Sequence, residues 1–262
     1  MAVRVVGPRG KGALLLDAHP GGCEATVAQA AAEVAADAVP DDPAPRVLII
    51  RTSSGYGQAI TTAGLVGWRI SGIGLCLERA ATGRRTASAG WYRVRAMAAL
   101  AQRRGARFEF HNGDCFATDT KRTILSRLAE RCGKVDYLIY SVAAPRRTDP
   151  SGATHQSVIK PIGAAHTTFS LDLDSGGGAV TRVEVPPATP AEIDATVKVM
   201  GGEDWADWVD ALAAHDLIAP GFTAVALSYI GSALTAPIYR HGTIGRAKDH
   251  LEASTAGSRP CG

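Results

Sequence analysis

The chain has 262 residues, of which 46% are hydrophobic and 20% charged, and its formal net charge at pH 7 is +3. That length supports a sizeable core in one large domain, while so small a charge, with its arginines scattered as Arg84–Arg85, Arg103–Arg104 and Arg146–Arg147, excludes the basic surface of a nucleic-acid binder and reads as solvated faces. No stretch approaches the ~20 apolar residues of a membrane helix and "MAVRVVGPRGKGALLLDAHPGG" lacks a signal-peptide core, so a cytoplasmic chain without membrane insertion is expected. The segment "DAVPDDPAP" is a loop that leads into the first regular unit. From residue 46, "RVLII" reads as a short apolar strand, "SSGYGQAITTAGLVGW" as a glycine turn opening a helix, and "GIGLCLE" as a second strand closed by Glu78. A helix in "GWYRVRAMAALAQRRG", a strand in "RFEFH", a helix in "TDTKRTILSRLAERCG" ended by Gly133, and a strand in "VDYLIYS" continue the alternation. Repeated βα units predict an α/β fold with a doubly wound, mostly parallel sheet of the Rossmann-like kind, whose ligands sit at the carboxyl ends of its strands.

After Pro145 the alternation breaks. "TTFSLDLDSGGGAVTRVEV" predicts two strands around a glycine turn, a hairpin within an inserted substrate-side segment spanning 146–190 of a single domain, 1–262. Its "DLDSGGG" lacks the closing glutamate of a calcium loop and is read as a turn. In "TPAEIDATVKVM" the spacing predicts a helix with Thr189 as N-cap, Pro190 first and Glu192 completing a capping box. A helix in "EDWADWVDALAAHD" and a strand in "FTAVALSYIG", ending near Tyr229, follow. Trp205 and Trp208 at helical spacing, and Trp91 with Tyr92, are assigned to packing.

The cysteines Cys23, Cys76, Cys115, Cys132 and Cys261 are odd in number and never form C-x-x-C, and no H-E-x-x-H occurs among the seven histidines, so neither a disulfide scaffold nor a metal site is expected. The chemistry lies after strands. In "RTSSGYG" the loop residues Ser53, Ser54, Gly55, Tyr56 and Gly57 follow a strand and open a helix, where backbone N–H groups approach a pyrophosphate; a full fingerprint would have glycine in place of Arg51. Glu78 stands 23 positions after Gly55, near the ~20-residue interval of the acid that binds the adenosine ribose, which favours NADH over a 2′-phosphorylated nucleotide. Asp114 and Cys115 follow the third strand, and Ser141, Val142 and Ala143 the fourth. Arg51 breaks the G-x-S-x-G elbow of a hydrolase, and no Tyr-x3-Lys follows the fourth strand.

The stretch "TAPIYRHGTIGRAKDHL" places Tyr239 and Lys248 nine positions apart, which in one unbroken helix would set them on opposite faces about 13.5 Å apart along the axis. Pro237, Gly242 and Gly245 instead predict an irregular segment around Tyr239 that enters a helix near Thr243. Together with "HPGGCE", "SSGYG", "AGWY", "NGD", "KPIG", "TVKVMGGEDW" and "SYIG", met in order along most of the chain, this stretch resembles the single-chain trans-2-enoyl-CoA reductases and enoyl-ACP reductases with a Tyr-x8-Lys signature. The resemblance implies NADH-dependent reduction of an α,β-unsaturated thioester carried by CoA or acyl-carrier protein in fatty-acid biosynthesis. It implies Tyr239 and Lys248 as the catalytic pair, with Lys248 also on the nicotinamide ribose, and Tyr56, Glu78, Asp114, Cys115, Ser141 and Val142 along the dinucleotide. Tyr229 in "SYIG" is expected as a further polar contact to the thioester, while His19 and Cys23 are assigned a structural role and His241 touches the signature. The likeness stops soon after Lys248 whereas family members continue, so a C-terminally shortened member is expected, and a catalytically inactive NAD(H)-binding remnant is the alternative.

Overall fold

The computed structural model describes residues 7, 9–11, 14–35, 44–83, 85–172 and 178–257. Arg84, Cys261, most of "DAVPDDPAP" and the hairpin turn at 173–177 lie outside the described residues. The chain forms two compact units: one comprises Met1–Cys115, Thr123–Ser141 and Leu217–Val225, the other Phe116–Arg122, Val142–Asp216 and Ala226–Gly262.

The first unit is built on strands β1 (Arg46–Ile50), β2 (Ser71–Cys76), β3 (Phe108–Asn112) and β4 (Val135–Tyr140). They form one sheet with β9 (Ile218–Ala226) in the order β9-β4-β1-β2-β3. β1 pairs in parallel with both β2 and β4, and β2 in parallel with β3. This is a doubly wound, Rossmann-like arrangement. Four of the five residues of β1 are buried, because helices on both faces of a parallel sheet call for a continuous apolar run rather than alternation.

Helix α1 (Pro20–Ala35), which the sequence reading did not anticipate, packs on α3 (Ala89–Arg104). Val27 and Ala31 of α1 join Met97, Leu100 and Ala101 of α3 in one buried cluster with Val47 and Ile49. On α1, Ala25, Ala28 and Ala32 are exposed while Cys23, Val27 and Ala31 are buried, a pattern too weak to mark an amphipathic stripe. Its entry is capped by His19, whose Nδ1 accepts the Gly22 N–H at 3.0 Å. Between β1 and β2, α2 (Gly55–Ala63) continues into a π-helical turn, Gly64–Trp68. Helix α4 (Thr118–Arg131) ends as expected, with Gly133 at φ 65° donating to the Leu128 carbonyl.

In the second unit a small hairpin, β5 (Arg146–Thr148) with β6 (Thr154–Gln156), precedes the anticipated hairpin β7 (His166–Leu171) with β8 (Val180–Val185). Helices α5 (Pro190–Met200), α6 (Glu203–Ala214) and α7 (Thr243–Gly257) follow, with α7 packed on both α5 and α6. Trp205 and Trp208 are buried on α6, as the packing assignment expects. Arg147 does not sit on a solvated face. It is 2% exposed, and its guanidinium donates to the Lys198 carbonyl at 2.8 Å and to Glu203 at 2.6 Å. A buried arginine needs such partners to offset its desolvation, and they lie more than 50 positions away in sequence.

Two boundaries differ from the sequence reading. The last strand begins at Ile218 and ends at Ala226, so Tyr229 lies beyond it rather than at its end, in a segment that bends at Gly231 with φ 81°. β2 stops at Cys76, so Glu78 stands two residues past the strand. Among the described residues no helix is long and apolar enough to cross a membrane.

The capping box at α5 is complete: the Thr189 hydroxyl accepts the Glu192 N–H, and the Glu192 carboxylate accepts the Thr189 N–H. Thr189→Ala is expected to lower unfolding stability by about 1 kcal/mol while Thr189→Ser stays near wild type. Urea denaturation of both variants checks this.

Candidate active site

The loop after β1 takes its shape from Arg51. Its φ of 65° is left-handed, the conformation that glycine adopts without a Cβ penalty, which is why a glycine fingerprint would place glycine there. The Arg51 and Thr52 N–H groups both donate to the Leu75 carbonyl, at 2.8 and 3.0 Å, tying the loop to β2. A Cβ on Gly57 would collide with the Arg51 carbonyl and lie 3.4 Å from the Ser141 Cβ, so only glycine lets α2 begin this close to the ends of β1 and β4. Ser54 stands at the N-cap but makes no side-chain capping bond. The first N–H groups of α2, at Gly55, Tyr56 and Gly57, therefore keep the free donor character that binds phosphate at helix N-termini. Tyr56 is 63% exposed beside them.

Glu78 is held from two sides. Ser53 Oγ donates to its Oε1 at 2.5 Å, and Ser88, the N-cap residue of α3, donates to its Oε2. Each oxygen keeps a further lone pair for an external hydroxyl. Asn112 fixes the backbone on either side of the carboxylate, accepting the Glu78 N–H at 2.7 Å and donating to the Glu78 carbonyl at 2.9 Å. Gly113, just before Asp114, donates to the Cys76 carbonyl at 2.7 Å, and Cys115 is buried. Burial, then the nearby Glu78 charge, pushes the Cys76 thiol up to about 12, which leaves it an inert packing group. The Ser141 N–H donates to the Ile50 carbonyl at 3.1 Å. The sheet of the first unit thus presents Ser53–Gly57, Glu78, Asp114, Cys115 and Ser141 after the carboxyl ends of four successive strands. Val142, buried, and Ala143, exposed, come next in the chain and fall in the second unit.

The second unit carries Tyr229, Tyr239 and Lys248. The two tyrosines meet edge to face, with ring centroids 5.5 Å apart and planes at 83°. The Tyr239 carbonyl accepts the N–H groups of Gly242 at 3.2 Å and Gly245 at 2.7 Å, which fastens the tyrosine to the first turn of α7. Lys248 lies on the next turn. It is 7% exposed, no hydrogen bond or ion pair holds it among the described residues, and burial pushes its pKa down. No hydrogen bond joins it to Tyr239. Because Tyr239 precedes the helix, the opposed-face argument does not apply to the pair.

The α7 start is clamped by contacts that the sequence reading did not anticipate. Thr243 Oγ1 donates to the Val158 carbonyl at 2.5 Å and accepts the Lys160 N–H at 3.3 Å, and the Thr243 N–H donates to the Lys160 carbonyl at 3.0 Å. Lys160 Nζ pairs with Glu192 at 2.5 Å. Gly202 N–H donates to His250 Nδ1 at 3.1 Å, so "KPIG", "VMGGEDW" and "HGTIGRAK" are brought together around one helix. That these blocks recur together was the available signal.

The sequence family described as the trans-2-enoyl-CoA reductase catalytic region matches residues 85–258, and that described as the NAD(P)H binding domain of trans-2-enoyl-CoA reductase matches residues 5–83. The chain belongs to the trans-2-enoyl-CoA reductase family. It is 57% identical over 249 residues to an enoyl-[acyl-carrier-protein] reductase [NADH] of Streptomyces avermitilis, covering 94% of this chain and 63% of that protein. It is 41% identical over 254 residues to a trans-2-enoyl-CoA reductase [NADH] of Clostridium perfringens, covering 97% and 64%. The crystal structure of Clostridium acetobutulicum trans-2-enoyl-CoA reductase in complex with NADH superposes with a TM-score of 0.90 at 34% identity, covering 97% of this chain and 63% of that one. The Treponema denticola trans-2-enoyl-CoA reductase in complex with NAD gives 0.88 at 36%, covering 97% and 65%. The chain therefore spans about 63–65% of the length of these family members.

A lysine this far buried, with no ion pair among the described residues, carries a desolvation cost to the fold. K248M should raise unfolding stability by on the order of 1 kcal/mol. Since burial lowers the folded-state pKa, the unfolded chain binds the proton more tightly, and wild-type stability should rise as pH climbs toward the ordinary 10.5. Denaturation curves across alkaline pH check both points: K248M should lack this contribution to the rise, and a destabilised K248M would show that the protein itself supports the charge.

Proposed function

We propose that this chain catalyses the NADH-dependent reduction of the carbon–carbon double bond of trans-2-enoyl thioesters, carried by CoA or acyl-carrier protein, in cytoplasmic fatty-acid biosynthesis. The observation that carries the reading is Lys248, buried and unpartnered on the helix whose first turn fastens Tyr239. A cation kept at such a cost is a group waiting for a ligand. The names of the relatives, which specify NADH and enoyl thioesters, give the ligand its identity.

The residues present fit a dinucleotide. The uncapped start of α2 at Gly55–Gly57 suits the pyrophosphate, and the carboxylate of Glu78, fixed by Ser53 and Ser88, suits a ribose hydroxyl and repels a 2′-phosphate. Asp114, Cys115, Ser141, Val142 and Ala143 would line the rest, and the three donors of Lys248 would hold the nicotinamide ribose. NADH, when bound, supplies the hydride that adds to the β-carbon of the thioester. Addition there moves charge onto the thioester oxygen, and the Tyr239 hydroxyl, a hydrogen-bond donor held by its backbone rather than by a flexible loop, stabilises that enolate. Protonation of the α-carbon completes the saturated acyl thioester, with Tyr239 as the proton source. Tyr229, packed edge-on against Tyr239 and 51% exposed, would orient the thioester.

The test is the loss of NADH absorbance with crotonyl-CoA, beside a binding titration of NADH and the same assay with NADPH. Tyr239→Phe should lower kcat by roughly 10²–10³-fold and leave NADH affinity unchanged. Loss of NADH affinity in equal measure would overturn the role given to Tyr239. NADH binding by the wild-type chain without turnover would instead support the non-catalytic reading.

A further inference from the structure

The segment that joins β9 to α7 turns back on itself at Gly231, where φ is 81°. A Cβ built on Gly231 would lie 2.8 Å from the Tyr239 Cβ, 3.1 Å from its Cγ and 2.5 Å from Thr235 Oγ1. The α-carbon of Gly231 is therefore the surface on which the Tyr239 side chain rests. The other side of the contact is rigid. The Thr235 carbonyl accepts the N–H groups of Ile238 and Tyr239 at 3.1 and 2.9 Å, and Thr235 Oγ1 accepts the Ser232 N–H at 3.0 Å. Tyr239 cannot retreat from an added methyl group without breaking this turn or the bonds that its carbonyl accepts from Gly242 and Gly245. Tyr229, two residues before Gly231, is carried by the same bend to its edge-on contact with Tyr239.

We propose that Gly231 is a positioning residue for the reaction: the absence of a side chain at this point sets the Tyr239 ring, and with it the phenol oxygen, against Tyr229. The inference rests on the reading of Tyr239 as the hydrogen-bond donor to the thioester. Gly231 meets two separate demands, a left-handed backbone and empty space. Asparagine satisfies the first, since it tolerates positive φ, but not the second.

The test uses the whole chain with NADH and crotonyl-CoA. Gly231→Ala and Gly231→Asn should each lower kcat by roughly 10–100-fold, the scale of a misplacement of about 1 Å, with NADH affinity unchanged. The double variants with Tyr239→Phe should be no slower than Tyr239→Phe alone, because the loss is transmitted through that hydroxyl. Wild-type turnover in Gly231→Asn would show that only φ matters and would overturn the proposal, as would losses that multiply in the double variants. A readout independent of turnover is the NMR cross-relaxation between the rings of Tyr229 and Tyr239, assigned with Tyr229→Phe. It should weaken or vanish in Gly231→Asn, which tolerates the positive φ and so is spared the backbone strain that Gly231→Ala adds. An unaltered ring contact overturns the proposal, whereas a wild-type chain that shows the contact but no turnover counts only against the function proposed above.

Discussion

The second unit depends on how α7 is seated. A helix that begins with Thr243 has donors to satisfy, and Thr243 uses its hydroxyl and its N–H to bind the backbone of Val158 and Lys160 in the segment opposite. The bridge between Pro161 and Gly242 extends the same contact by one step, and the salt bridge from Lys160 to Glu192 links it to the capping box of α5. Tyr239 and Lys248 flank this anchor. The backbone on each side of Thr243 is thereby committed, which fixes where both residues leave the main chain.

The same unit buries two cations and treats them differently. Arg147 has Glu203 and the Lys198 carbonyl in hydrogen-bond range of one Nη, Asp207 at 3.6 Å from the other, and Phe116 beneath the guanidinium at 5.6 Å, while its buried Nε makes no hydrogen bond. It acts as a structural pin between β5 and the start of α6. Lys248 has no such partner among the described residues. Where one cation is neutralised and the other is left bare, the bare one is the functional candidate, since selection for stability alone would have supplied a carboxylate or removed the charge.

Much of the architecture was legible. "RVLII", "VDYLIYS" and the helices between them follow directly from apolar periodicity, and the Thr189–Glu192 box marked α5 to the residue. Helix α1 was not legible, because alanines on its exposed side leave little contrast with the buried Cys23, Val27 and Ala31. The burial of Arg147 was equally hidden, since it depends on acceptors distant in sequence. At the candidate site the residue types and the strand-end positions could be read, and Tyr239 was correctly set on an irregular segment. What local pattern could not show was the support: Ser88 on Glu78, Thr243 beneath α7, and Gly231 against Tyr239. Each is a contact between segments, visible only when the chain is folded.

The first unit makes its contribution through backbone geometry. Arg51 accepts a left-handed conformation so that Gly57 can begin α2 beside β4, and the carboxylate of Glu78 is preset by two serines from different loops. Such preorganisation fits the dinucleotide site proposed for this chain. The most direct measurement is the fate of label from NADH deuterated at both C4 positions, with crotonyl-CoA as acceptor in ordinary water. Mass spectrometry and NMR of the product should find one deuterium on the β-carbon of butyryl-CoA and none on the α-carbon, which takes its proton from solvent-exchangeable groups. Butyryl-CoA without deuterium, deuterium on the α-carbon, or no product at all would contradict hydride transfer to an enoyl thioester in this protein.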